Sequence, residues 1–124
     1  MRRVVVFLFI QLALVAQAGS ASYEVDADNM RTIEDSMKNL DSHVALKDAK
    51  GATQEAKDLI AAFEQVQDFY ARKGNATDAV GFARKTHELV RQILSSVEAG
   101  DYDGAAGSVN QLARSCKSCH DIYK

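Results

Sequence analysis

Proline and tryptophan are both absent from this 124-residue chain, and cysteine occurs only twice. The lack of proline removes the residue that most effectively breaks a helix, which leaves room for long uninterrupted helical segments. Four tyrosines and five phenylalanines are the whole aromatic complement. Charge of one sign is also lacking: 15 Lys+Arg stand against 17 Asp+Glu, for a net charge of −2. Such a chain has no basic footprint for nucleic acid. Alternation of apolar and polar residues over useful lengths is missing, so no strand is expected. With 47% hydrophobic and 26% charged residues, what remains is the composition of one small globular domain.

The one long apolar run lies at the beginning. Arg2 and Arg3 precede Val4 to Ala16, interrupted only by Gln11, and Ala16-Gln17-Ala18 supplies the small residues a signal peptidase reads. The run falls short of the roughly 20 apolar residues a membrane anchor needs. We therefore expect residues 1–18 to be a signal peptide, with Ala21 as a second cleavage position, and residues 19–124 to be the folded domain. Cleavage removes two arginines and deepens the acidic excess. The mature protein is expected in the periplasm, with no membrane association.

Four helices can be read from apolar steps of three and four. The first spans about 26–44, with Met30, Ile33, Met37, Leu40 and Val44 on one face. The second spans about 53–73 (Ala56, Leu59, Ile60, Phe63, Val66, Tyr70), set off by Lys50-Gly51 and stopped by Gly74-Asn75. Thr77 or Asp78 is placed to cap a third helix running to Ala99 through Val80, Ala83, His87, Val90, Leu94 and Val97. Beyond Gly100-Asp101, a fourth covers about 102–123 with Val109, Leu112, Ala113, Cys116, Cys119, His120 and Tyr123 inward. Four such helices with short links predict an all-α, antiparallel up-down-up-down bundle.

The chemistry is concentrated in Cys116-Lys117-Ser118-Cys119-His120. This is the C-x-x-C-H pattern of covalent haem attachment. On a helix, residues three and four apart share a face, so two thiols and one imidazole can address one ring. The thiols would add to vinyl groups as thioethers and the imidazole would take the iron axially. Three other readings are weaker. A thioredoxin-like dithiol belongs at a strand-to-helix junction, a structural zinc site wants four ligands, and a disulfide three residues long constrains little chain.

For the other face of the iron, Met30 lies about one turn into the first helix and His120 about one turn from the end of the fourth. Antiparallel packing brings those depths together. Met37 lies seven residues deeper, about 10 Å along the axis, where it packs beneath the ring. His43 falls near the opposite end and His87 well below His120. Spacing alone leaves Met30 as either a ligand or a core methionine.

These residues resemble the four-helix-bundle cytochromes, a group that includes cytochrome b562, cytochrome c′ and the cytochrome c556 type. The resemblance covers nearly all of the mature region. The position of C-x-x-C-H is that of cytochrome c′. Asp28-Asn29-Met30, with Asp35, Met37 and Leu40, is similar to the opening of cytochrome b562, and His120 with Tyr123 and Lys124 to its ending. His87 to Ile93 is similar to its third helix. The b-type relatives hold haem without thioethers, whereas Cys116 and Cys119 imply attachment. The resemblance implies a b562-like bundle carrying one covalent haem c, with His120 and Met30 as axial ligands and Cys116 and Cys119 as the other cofactor-binding residues.

Filled axial positions imply a one-electron carrier that meets other exported redox proteins through transient contacts. The alternative is a five-coordinate protein of the cytochrome c′ kind that binds or senses nitric oxide or carbon monoxide. An enzyme is not expected, since no nucleophile–base arrangement or paired-carboxylate signature stands out. The resemblance admits a monomer or a homodimer.

Overall fold

The computed structural model describes residues 22–123; the expected signal peptide lies outside them. Four helices make up the fold: α1 (Ala27–Ala45), α2 (Ala49–Lys73), α3 (Thr77–Glu98) and α4 (Tyr102–Tyr123). Three-residue links force each helix to turn back on the one before. The helices pack in sequence, α1 on α2, α2 on α3 and α3 on α4, while the seam between α4 and α1 is the loosest. The result is the expected antiparallel bundle, and its loosest seam opens a cavity at the end where α1 begins and α4 finishes.

Local chemistry sets the ends. Asp26 caps α1, its carboxylate accepting from the amides of Asp28 (3.1 Å) and Asn29 (2.8 Å). Gly74 ends α2 at φ +76°, the left-handed stop the Gly-Asn pair predicts. Gly100 at φ +71° opens the last link, where the Asp101 carboxylate takes the Gly104 amide at 2.9 Å.

Two expectations about ends are corrected. Lys50-Gly51 does not separate the first two helices. The break falls earlier, at Lys47 with φ +56°, and Asp48 caps α2 by accepting from the Gly51 amide at 3.1 Å. Neither Thr77 nor Asp78 caps α3. The cap position is Ala76, which is buried in the core and offers no side-chain bond to the helix. Asp78 lies in the first turn, where its carboxylate accepts from the Ala79 amide at 3.0 Å.

The core runs the length of the bundle. Leu40, Val44, Leu59, Val90, Ile93 and Leu112 are its fully enclosed large side chains. Each side chain of this size contributes about 1.5–3 kcal/mol on burial. On α3 the buried face is rotated from the expected stripe: Thr86, Leu89 and Ile93 point inward, and Val80, His87 and Leu94 sit at its half-buried edge. On α4, Ala113 is exposed and Ser115 is buried in its place. One polar contact accompanies both shifts. The Thr86 hydroxyl donates to the Phe82 carbonyl at 2.8 Å, and the two hydroxyls of Thr86 and Ser115 meet at 2.9 Å across the α3–α4 interface. A polar pair satisfied in this way can be buried where hydrophobicity alone would not place it.

Candidate functional site

A cavity of about 480 Å³ occupies the open end of the bundle, within the range of cofactor-sized sites. Its α4 wall carries Cys116, Cys119, His120 and Tyr123, and its α1 wall carries Met30, Ile33 and Met37. Phe63, Val66 and Tyr70 of α2 and Ala79, Phe82, Ala83 and Thr86 of α3 supply the remaining, mostly apolar, lining. All four residues singled out from the sequence therefore face one space. Helical spacing explains the α4 set, since 116, 119 and 120 differ by three and four.

The two cysteines are free thiols. Cys116 is half-buried, and burial pushes its thiol up to about 11, with Cys119 adding to the effect. Burial also raises Cys119, followed by the nearby Asp78 carboxylate. Burial disfavours the charged thiolate at both cysteines, so each is a neutral S–H near pH 7 in this largely apolar wall. The disulfide alternative finds no support in this geometry. The zinc alternative fares no better, because among the described residues no three His, Cys, Asp or Glu side chains gather as a metal cluster.

Met37 takes a defined place. Its sulfur lies 3.3 Å from the Cys116 sulfur, with the thiol donating. From that contact, His120 is one turn further along α4, and Met30 is two turns back along α1, on the same side of the contact. Met37 thus packs against Cys116, and Met30 is half-buried nearer the rim on the same α1 wall. His120 is exposed at the cavity rim. His43 and His87 take no part in the site. The half-buried His43 puts Nδ1 2.8 Å from Asp48 at the far end of the bundle, and so is held rather than simply solvated. His87 puts Nε2 3.2 Å from Glu64 between α3 and α2.

Several contacts at the site carry no sequence signal of their own. The Tyr123 hydroxyl donates to the Asp78 carboxylate and so ties the end of α4 to the start of α3. That bond is the main reason Asp78 sits below the usual carboxylate range. The Tyr123 ring stands 5.5 Å from that of Tyr70, which closes the α2 side. Glu34, Lys38 and Asp41 reach the cavity from α1, and Lys38 is paired with Glu34 at 3.0 Å.

The donor set fits haem. Two thiols and an imidazole on one helix face, opposite a thioether, border a largely apolar cavity of cofactor size. When bound, haem would supply a one-electron iron couple that no side chain here can provide. Among the described residues no helix is long and apolar enough to cross a membrane.

Comparison with known proteins agrees. No curated protein and no solved structure matches the chain. The model of the family described as cytochrome C′ matches residues 15–124. With that match spanning nearly the whole sequence and the bundle above built from it, the chain belongs to the cytochrome c′ family and is a haem-binding four-helix cytochrome.

Proposed function

We propose that this protein is an exported, periplasmic, monohaem c-type cytochrome that carries single electrons between other exported redox proteins. In this reading Cys116 and Cys119 hold the haem as thioethers, His120 binds the iron from α4, and Met30 binds it from α1. One observation carries the proposal: Cys116, Cys119 and His120 line one wall of a single cavity and Met30 lines the wall facing them.

Each residue has a distinct task. The cysteines keep the cofactor in place when the small bundle opens transiently. His120, on a helix fixed at its end by Tyr123 and Asp78, sets the orientation of one axial bond. Met30 provides a soft, neutral ligand; pairing of histidine with methionine raises a haem potential. Met37 lies level with Cys116 at the inner end of the cavity, whereas Met30 lies two turns nearer the rim, on His120's side of that contact. Two protein ligands leave no site for a substrate, so we propose a carrier and not an enzyme.

The competing reading is a five-coordinate haem that binds nitric oxide or carbon monoxide. It draws on Ile33, an apolar residue on the same α1 wall as Met30, which would suit an open distal face. Optical and magnetic spectra of the ferric holoprotein separate the two. The carrier reading expects low-spin iron, a methionine–iron band at the red end of the visible spectrum, and no carbon monoxide binding by the reduced form. High-spin iron with ready uptake of either gas would establish the five-coordinate reading instead.

A further inference from the structure

A second, smaller cleft of about 210 Å³ lies on the outer seam between α3 and α4. It is lined by Phe82, Lys85, Gln111, Arg114, Ser115 and Ser118, with two cations and no carboxylate. In a chain with more acidic than basic residues, this is a local reversal of sign. Lys85 and Arg114 are both exposed. Among the described residues neither enters an ion pair, whereas Lys117 is tied to Asp121 and Lys38 to Glu34.

Two further features belong to the same face. Ile122 stands one turn beyond Ser118 on α4 and is 58% exposed; among the described residues Leu46, the other large apolar side chain so exposed, lies at the far end of the bundle. Gly81 lies one turn from Lys85 on α3 and has open space where a side chain would stand. Phe82 lines both this cleft and the haem cavity. The partition between them is one phenylalanine and the Thr86–Ser115 hydroxyl pair.

The geometry points to the α3–α4 cleft as the docking surface for a redox protein that presents carboxylates around its own centre. This inference rests on the electron-carrier reading and names the chemistry of the partner. The Arg114 fork can take a carboxylate through two parallel bonds, and Lys85 adds a second charge contact. Ile122 gives the apolar contact that small transient interfaces keep among polar neighbours. Exposed charge of this kind steers encounter and sets orientation more than it adds affinity, which suits a carrier that must leave after each exchange. The reduced partner loses one electron as the oxidised one gains it, and no proton or covalent bond changes hands. Phe82 is the side chain that the cleft shares with the haem cavity.

The test uses isotope-labelled holoprotein titrated at low ionic strength with a strongly acidic [2Fe–2S] ferredoxin as the probe, followed by amide chemical shifts. The expected shifts cluster on Phe82, Lys85, Gln111, Arg114, Ser118 and Ile122, and added salt removes them. The Lys85→Glu/Arg114→Glu variant should weaken binding at least about tenfold, a loss of about 1.4 kcal/mol. Lys50→Glu/Lys57→Glu makes the same charge change at the far end of the bundle and should leave binding as it was. Shifts centred on another face, or binding indifferent to Lys85 and Arg114, would overturn the inference. So would equal shifts produced by inorganic phosphate at matching concentration, which would mark a small-anion site. Voltammetry on the same sample tests the underlying reading separately. A missing reversible one-electron wave removes the carrier and the docking surface together, while a clear wave without shifts at the cleft removes the docking surface alone.

Discussion

Replacing Thr86 by valine should cost more than replacing its partner Ser115 by alanine, and replacing both should cost less than the sum. Thr86 is 3% and Ser115 5% exposed, and their hydroxyls are 2.9 Å apart. The Thr86 proton is already given to the Phe82 carbonyl at 2.8 Å, so Ser115 must be the donor in the pair. Thr86→Val then leaves a buried donor without its acceptor, at a cost of about 1–3 kcal/mol. The lower half of that range applies, because a helical serine can turn back to a carbonyl four residues earlier. Ser115→Ala leaves Thr86 bonded to Phe82 and removes only one accepted bond, about 0.5–1 kcal/mol. With both groups apolar no donor is stranded, so a coupling of about 1 kcal/mol is expected. In a domain of this size that is a difference of about 4–8 °C in Tm. Urea and thermal unfolding of the four holoproteins, with the haem spectrum as a check on the site, would measure it. Strict additivity of the two single effects would refute the assigned direction of the bond.

Gly51→Ala should lower Tm although alanine is the better helix former by about 1 kcal/mol, because the new methyl group would overlap the His43 ring and the Asp48 carboxylate; adding His43→Ala should recover the loss. Tyr123→Phe should destabilise the protein near neutral pH and progressively less in acid. The Tyr123 hydroxyl is the chief cause of the lowered Asp78 pKa, so its contribution is present above the ordinary carboxylate range and lost as pH falls through that of the folded protein. Thermal unfolding between neutral and acid pH would show the two curves converging, and a constant gap would contradict the assignment. In the haem-free chain, Cys116 should resist alkylation by iodoacetamide at neutral pH and react only as pH approaches about 11, where burial has placed its thiol.

The helices were legible because each repeats apolar residues at steps that one helix face imposes, and because Gly74 and Gly100 signal ends through local backbone chemistry. What escaped was set by contacts between helices. The start of α2 depends on Lys47 adopting φ +56°, a conformation that no side-chain pattern announces for lysine. The inward placing of Thr86 goes with its contact to Ser115, a pairing that neither helix encodes alone. The C-x-x-C-H motif could be read because its three residues are neighbours on a single helix. Met37 against Cys116, Tyr123 against Asp78, and Phe82 shared by two cavities all depend on the register of one helix against another. Residues 1–18, read as a signal peptide, lie outside the described structure.

The central claim is that α1 supplies the second iron ligand to a haem attached on α4. The ferric spectra of Met30→Ala and Met37→Ala holoproteins, recorded beside that of the unaltered protein, test it most directly. The account predicts that Met30→Ala loses the methionine–iron band and turns high-spin, while Met37→Ala keeps the band and the low-spin state. Retention of the band in Met30→Ala, or its loss only in Met37→Ala, would contradict the account.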